Sequence, residues 1–318
     1  MSKLTSLEIC AGAGGQALGL ELAGFEHLAL VEIEKNACST LRINRPGWNV
    51  IEGDLRQFSA SSFKRVGLLA GGIPCPPFSK AGNQLGDRDE RDLFPDAIRL
   101  VDECRPQALM IENVRGLLDA VFDDYRNKVE KQLKKLGYVP GWRLFNACNF
   151  GVSQLRPRVI FVGIRKDVAD KYAWPVSLDT EPLTVGELLH DLMKANGWRG
   201  VDRWREQANS IAPTLVGGSN KHGGPDLGPT RAKRAWASLG VDGHGLWDEA
   251  PSCDFVGMPR LTTRMTARIQ GFPDEWQFSG RKTATYRQIG NAFPPPVAKA
   301  VARQIFAALS TKRIFKVA

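Results

Sequence analysis

The chain has 318 residues, of which 43% are hydrophobic and 24% charged, and its formal net charge is +9. This composition is ordinary for a globular protein, and no run reaches the roughly 18 consecutive apolar residues that a membrane helix needs. The N-terminal stretch is too short and too mixed for a signal peptide, so we expect a cytoplasmic protein with no membrane association. The basic excess favours a polyanionic partner without proving one.

The six cysteines are scattered and contain no CxxC pair. This pattern argues against a zinc site and against a disulfide framework, so no bound metal is expected. Cys38, Cys104 and Cys148 lie within apolar or helical patterns, and we predict that they are buried and inert. The remaining question is whether another cysteine is reactive.

Strands alternate with helices through the first half of the chain. We predict strands at residues 4–9, 28–33, 50–51, 66–70, 108–111, 142–146 and 159–164. We predict helices after Gly15 and at residues 37–43, 95–104 and 125–136. This alternation is typical of an α/β fold with a mostly parallel sheet covered on both faces, in which ligands bind at the carboxyl ends of the strands.

The alternation stops near residue 174, and the chain is then rich in Gly, Pro and Trp, with one short helical pattern at 183–193. Between Lys194 and Trp236 there are eight basic and three acidic residues. Apolar residues four apart at 297, 301 and 305 predict a final helix that packs back on the first domain. We therefore predict one domain from residues 1–174 and 286–318, and a smaller irregular domain with a hinge from 175–285.

A glycine-rich turn follows the first predicted strand and spans Ala11 to Gly15. Such a turn lets the backbone approach a ligand closely. Glu32 ends the second strand and suits ribose hydroxyls, while Asp54 follows the third strand and could bond an adenine amino group. A glycine-rich turn and two acids at the ends of three consecutive strands predict a cofactor that contains adenosine. This pattern does not distinguish a nicotinamide cofactor from S-adenosylmethionine.

A second segment places Cys75 between Pro74 and Pro76-Pro77. The prolines fix the backbone and suit a thiol held at a set angle, so we predict that Cys75 is a nucleophile rather than an inert thiol. Glu112 leaves a buried strand, where partial desolvation would raise its pKa and favour an acid role. A structural or capping role is the alternative for Glu112.

Gln154, Arg156 and Arg158 alternate along an extended segment and would therefore point the same way. Arginines there could hold a phosphate or a base carbonyl, and a solvated edge is the alternative.

Together these residues closely resemble the DNA cytosine carbon-5 methyltransferase family of bacterial restriction–modification systems. The resemblance weakens between about residues 175 and 258. It is carried, in the family's order, by residues 7–15, 32, 53–54, 74–79, 89–94, 112–114, 154–158, 260–276 and 287–292. It implies a Rossmann-like S-adenosylmethionine-dependent methyltransferase domain, plus a smaller irregular target-recognition domain.

The resemblance implies that Cys75 attacks carbon 6 of a flipped-out cytosine and that Glu112 bonds ring N3 and the exocyclic amine. Arg158 would hold the base carbonyl, and Arg156 would brace Glu112 or a phosphate. The cofactor would be S-adenosylmethionine, released as S-adenosylhomocysteine. The implied cofactor residues are Cys10, Ala11, Gly12, Gly14, Gly15, Glu32, Ile33, Asp54, Leu55, Pro74, Leu93, Asn291 and Phe293.

The implied partner is double-stranded DNA, bound by a monomer in the bacterial cytoplasm beside the nucleoid. Residues 212–218 resemble the family's Thr-Leu recognition core. The candidate DNA contacts are Ser79, Gln84, Thr214, Leu215, Lys221, Arg231, Lys233 and Arg234. The sequence leaves open the DNA site and the existence of a cognate restriction endonuclease.

Four positions depart from the family pattern: Glu8 stands for Asp, Cys10 for Phe, Gly67 for an acid and Met265 for Glu. We expect these changes to alter affinity or packing rather than chemistry. An RNA cytosine methyltransferase of the same fold and an inactive DNA-binding regulator remain as alternatives. A nicotinamide oxidoreductase is a distant third, because nothing in the loop around Cys75 serves hydride transfer.

Overall fold

A computed structural model describes residues 3–74, 92–217 and 224–310. Its centre is one seven-stranded sheet in the order β3-β2-β1-β4-β5-β7-β6. The strands are β1 (Thr5–Ile9), β2 (Glu26–Glu32), β3 (Val50–Glu52), β4 (Leu68–Gly72), β5 (Ala108–Val114), β6 (Tyr138–Asn146) and β7 (Pro157–Arg165). β7 runs antiparallel to both of its neighbours, and the pairs among β1 to β5 are parallel. The predicted mostly parallel α/β sheet is therefore confirmed.

Ten α-helices occur in the described part of the chain. They are α1 (Gly15–Ala23), α2 (Lys35–Asn44), α3 (Phe94–Cys104), α4 (Asp123–Lys135), α5 (Val185–Lys194), α6 (Val201–Gln207), α7 (Thr230–Ser238), α8 (Thr263–Ile269), α9 (Lys282–Asn291) and α10 (Pro295–Ser310). None of the described helices has the length and apolar character to cross a bilayer.

Both faces of the sheet are covered by apolar side chains from helices. On one face, α3 and α4 pack against strand residues such as Leu7 and Leu69. On the other face, α10 buries Val297, Val301 and Ile305 against the sheet. The spacing of four residues places these three side chains on one stripe of α10, as the sequence predicted.

A third apolar core lies wholly within residues 185–286 and is built around Trp204 and Trp236. Its first helix, α5, begins after Thr184 because the Thr184 hydroxyl accepts from the Glu187 amide and the Glu187 carboxylate accepts from the Thr184 amide. The division of the chain at residues 175 and 285, and the role of the smaller part, stay predictions.

Candidate active site

The glycine-rich turn lies at the carboxyl end of β1, with the ends of β2 and β4 on either side. Gly12 and Gly14 have positive φ values of 54° and 85°. At Gly15 a Cβ atom would lie 2.4 Å from the carbonyl oxygen of Phe293, so only glycine fits there. At Gly12 a Cβ atom would meet nothing within 4 Å, which leaves room beside the turn for a ligand.

Glu32 ends β2 and is held in place by three backbone amides. Its Oε2 accepts from Gly12 at 2.7 Å, and its Oε1 accepts from Ile33 at 2.9 Å and Glu34 at 2.8 Å. Burial raises the pKa of Glu32, and these amides oppose that shift. A carboxylate oxygen can accept two hydrogen bonds, so Oε2 retains capacity for one hydroxyl donor.

Asp54 follows β3 and carries an interaction that the sequence reasoning did not include. Its carboxylate pairs with the Arg56 guanidinium at 2.5 Å, which lowers the pKa of Asp54. Ile33 lies between the two acids in the chain and is 59% exposed, although it is a large apolar residue. Two carboxylates, an exposed apolar side chain and open backbone at Gly12 fit the ribose, base and tail of an adenosine-containing group.

The remaining predicted cofactor residues take different places. Cys10, Leu55 and Leu93 belong to one apolar cluster, and Ala11 is buried in the turn. Burial raises the pKa of Cys10, with Glu32 and Asp54 close enough to add to the shift. Pro74 is exposed, and Phe293 is buried behind Gly15. The Asn291 Oδ1 lies against Gly217, 2.6 Å from where a Cβ would be.

Glu112 lies near the end of β5 and Arg158 near the start of β7, and the antiparallel pairing of these strands brings them together. The Arg158 Nε lies 2.7 Å from the Glu112 Oε1, and both side chains are largely buried. Burial raises the pKa of Glu112, while the charges of Arg158 and Arg156 oppose the shift. A buried acid beside a guanidinium can donate a proton and then be stabilised as a carboxylate.

Arg156 lies in a different environment from the one we expected. Its side chain is 0% exposed, and it donates to the carbonyls of Leu215, Gly290 and Ala292 at 2.9, 2.8 and 3.0 Å. These bonds do not fit the predicted phosphate contact, because a phosphate of DNA cannot reach a fully buried guanidinium. They also exclude the alternative of a solvated edge at this position.

One predicted DNA contact requires correction, and two others have partners within the protein. Leu215 is buried, so its side chain packs inside the protein rather than against DNA. Lys233 pairs with Asp226 at 2.9 Å and is therefore engaged within the protein. The Thr214 hydroxyl donates to the carbonyl of Leu155.

Arg231 and Arg234, by contrast, are exposed one helical turn apart on α7. They stay candidates for DNA contact. Cys75, Ser79, Gln84 and Lys221 lie outside the described residues.

Trp276 is a site residue that the sequence reasoning did not single out. Its indole Nε1 donates to the Ala13 carbonyl at 3.1 Å, and a Cβ at Gly14 would lie 2.9 Å from its ring. Trp276 therefore supports the glycine-rich turn from the side of the irregular segment. Its position at the end of the matching stretch 260–276 was the only available signal.

Two of the described cysteines have the properties of inert thiols. Burial raises the pKa of Cys38 to about 11 and that of Cys104 to about 12, which fits inert thiols. Cys148 is only half-buried rather than fully buried as expected. No cluster of three or more His, Cys, Asp or Glu suited to a metal occurs among residues 3–74, 92–217 and 224–310.

The fold and this site together define an α/β enzyme with a glycine-rich turn at the carboxyl end of β1 and a buried acid–arginine pair. The chain belongs to the C-5 cytosine-specific DNA methylase family, whose model matches residues 4–307. It is a DNA (cytosine-5-)-methyltransferase.

Two similar relatives are bacterial type II methyltransferases. M.NgoMIV of Neisseria gonorrhoeae is 58% identical over 310 residues, covering 96% of this chain and 98% of the relative. M.NaeI of Lentzea aerocolonigenes is 56% identical over 316 residues, covering 98% of this chain and 76% of the relative.

Solved structures confirm the fold. A prophage-encoded DNA modification methyltransferase from E. coli has a TM-score of 0.68 at 22% identity, covering 97% of this chain and 100% of that one. The methyltransferase EhMeth of Entamoeba histolytica also has a TM-score of 0.68, at 14% identity, covering 98% of this chain and 100% of that one.

Proposed function

We propose that the protein transfers the methyl group of S-adenosylmethionine to carbon 5 of a flipped-out cytosine within a short specific sequence of duplex DNA. The observation that carries this proposal is the Glu112–Arg158 pair, with 2.7 Å between Arg158 Nε and Glu112 Oε1. A cytosine presents a ring nitrogen, an amine and a carbonyl on one edge, and this pair offers an acid, an acceptor and a donor. The target base is inaccessible within the duplex and must leave the stack.

In the proposed reaction the Cys75 thiolate forms a bond to carbon 6 while Glu112 gives a proton to N3. The resulting enamine makes carbon 5 nucleophilic, and Arg158 holds the carbonyl at carbon 2. The bound cofactor supplies the electrophilic methyl group, which carbon 5 takes up. Solvent water then takes the carbon-5 proton, the bond between Cys75 and carbon 6 breaks, and N3 returns its proton to Glu112, which gives 5-methylcytosine and restores both the thiolate and the acid.

For the cofactor, Glu32 would hold ribose hydroxyls and Asp54 the adenine amine. The three amides that fix Glu32 support this role, because they orient the carboxylate before a ligand arrives. Asp54 would share its carboxylate with Arg56. Leu93 and Asn291 would contribute to the remainder of the pocket.

We further propose that residues 175–285 choose the DNA sequence and that the protein belongs to a type II restriction–modification system. The relatives named above are type II methyltransferases, which supports a modification role beside a cognate endonuclease. The exposed Arg231 and Arg234 on α7 are the described residues best placed to contact DNA. Arginine reaching guanine in the major groove is the commonest specific contact.

The test is bisulfite sequencing of DNA from a bacterial host that expresses the wild type or Cys75→Ala. The wild type should protect one short cytosine-containing motif from conversion throughout the genome, and the alanine variant should protect none. The purified wild type should also form a denaturation-resistant adduct with duplexes that carry 5-fluorocytosine at that position, because fluorine cannot leave as a proton. Methylation by Cys75→Ala at the wild-type rate would refute the covalent mechanism.

A further inference from the structure

Arg156 joins two parts of the chain that are distant from it in the sequence. One carbonyl acceptor is that of Leu215, and the other two are those of Gly290, in the last turn of α9, and Ala292, which leads into α10. A fully buried guanidinium is costly unless it is hydrogen-bonded, so these two parts and Arg156 stabilise one another. Separating either of them from Arg156 would leave a buried donor unsatisfied.

Two buried glutamines extend this network. Gln154 accepts from the Leu215 amide at 2.9 Å and donates to the Gln270 side chain at 2.7 Å. Gln270 in turn donates to the Ala292 carbonyl at 2.5 Å. Leu215 and Ala292 are therefore linked twice, once through Arg156 and once through the glutamine pair.

The segment 214–217 also lies directly on the end of α9. A Cβ at Gly290 would be 2.5 Å from both the nitrogen and the Cα of Gly217. Two backbones this close cannot slide past each other independently. A shift of segment 214–217 must therefore move the end of α9 and the Ala292 carbonyl.

The other end of the same linkage is the glycine-rich turn of the cofactor site. The residue after Ala292 is Phe293, whose carbonyl oxygen lies 2.4 Å from where a Cβ of Gly15 would be. The route from Leu215 to Gly15 thus consists of hydrogen bonds made by buried side chains and of close backbone contacts. A displacement at one end has a direct route to the other.

We propose that Arg156 is a positioning residue that couples DNA binding by residues 175–285, through the buried segment 212–217, to cofactor binding at the glycine-rich turn. The proposal rests on the proposed function, since it takes residues 175–285 as the DNA-reading part. Binding of this part to its own DNA site and binding of the cofactor at the turn favour the same arrangement of α9. Such coupling is reciprocal, so cognate DNA tightens cofactor binding by the factor with which the cofactor tightens DNA binding.

The experiment measures the affinity of S-adenosylhomocysteine by calorimetry, alone, with a duplex bearing the methylated motif and with a scrambled duplex. In the wild type the cognate duplex should tighten binding by a factor within the usual coupling range of roughly 5 to 150, and the scrambled duplex should not. Arg156→Lys keeps the positive charge, but it lacks the planar guanidinium that donates to three carbonyls. Its coupling factor should fall at least about threefold below the wild-type factor without reaching one, because the glutamine pair and the contact between Gly217 and Gly290 remain. Its affinity without DNA should change less than about threefold.

Arg126→Lys is the matched control, because Arg126 also donates to two main-chain carbonyls, those of Leu117 and Asp119, but within the first domain. It should keep the wild-type factor. Gln270→Leu removes the second link between Leu215 and Ala292, which runs through the glutamine pair, and should lower the coupling factor in part. If Arg156→Lys does not fold, the coupling factor of Gln270→Leu tests the proposal. Full coupling in a folded Arg156→Lys or Gln270→Leu variant would overturn the proposal, as would a wild type without coupling. Failure of the wild type to methylate DNA would instead overturn the proposed function.

Discussion

Replacing Glu112 with Gln separates the acid role of this residue from its shape. Glutamine keeps the volume and can still bond N3 or the amine, but it cannot give up a proton or pair with Arg158 as an anion. The wild-type carboxyl lies 2.7 Å from Arg158 in a buried site. A hydrogen bond to a charged group contributes about 1.5–3 kcal/mol, so turnover should fall roughly ten- to a hundred-fold. Cofactor affinity should barely change, because Glu32 and Asp54 are intact.

The dependence on pH gives a second and sharper expectation. Burial raises the pKa of Glu112 above its usual range. An acid that must be protonated is active below its pKa, so the wild-type rate should decline as pH rises through that raised value. The Gln variant has no proton to lose there, so its rate should lack this decline. The difference between the two enzymes should therefore be largest at low pH and shrink as pH rises.

The assay is the initial rate of transfer of a radiolabelled methyl group to duplex DNA at saturating cofactor, over a pH range of about 5 to 9. Glu130→Gln is a suitable control, because Glu130 pairs with Lys134 on α4 and accepts from the Trp142 indole rather than from a residue of the site. Unchanged turnover in Glu112→Gln, or an unchanged pH profile, would refute the assignment of an acid role to Glu112.

Three further predictions concern stability, the cofactor and DNA. Burial and the charge of Glu32 raise the pKa of the wholly buried Glu8, so the wild type should lose stability as pH rises from about 4.5. In that range the free energy of unfolding of Glu8→Gln should increase relative to that of the wild type by about 1.4 kcal/mol per pH unit. Urea unfolding curves that show a constant difference between the two proteins would contradict this. Glu32→Ala or Asp54→Ala should weaken cofactor binding roughly ten- to a hundred-fold in calorimetry, and unchanged affinity in both would place the pocket elsewhere. Arg231→Ala or Arg234→Ala should reduce methylation at the usual motif or broaden the set of methylated sites in bisulfite sequencing, whereas identical maps would exclude both residues as readers.

The sheet was largely predictable because its strands are short apolar runs. β5 and β7 are buried along most of their length, and such runs are typical of strands covered on both faces. β6 begins at Tyr138, four residues before the predicted start. Pro140 and Gly141 made that stretch resemble a turn, but β6 is the outermost strand of the sheet, where proline is tolerated.

The active-site acids were predictable from strand ends, and their partners were not. Arg156 and Arg158 alternate along one extended segment, yet they have different partners. Arg158 pairs with Glu112, whereas Arg156 donates to carbonyls that lie 59 and 134 residues further along the chain. Alternation along a strand predicts the side to which each side chain points, but the tertiary fold determines which groups it contacts there. The ion pair between Lys233 and Asp226 was not predicted for the same reason, since the fold places Asp226 beside α7.

Three buried glutamates at one end of the sheet show how different neighbours can give the same side chain different roles. Burial raises the pKa of Glu8, Glu32 and Glu112 alike, and the neighbours decide how strongly that shift is opposed. Glu32 has three backbone amides, which favour the carboxylate and suit a lasting acceptor for hydroxyls. Glu8 has the charge of Glu32 nearby, which favours the neutral acid and suits packing. Glu112 has Arg158 in direct contact and the charge of Arg156 nearby, so a base that engages Arg158 would also raise the proton affinity of the acid. Binding of the base would then prepare Glu112 to hold the proton that N3 needs.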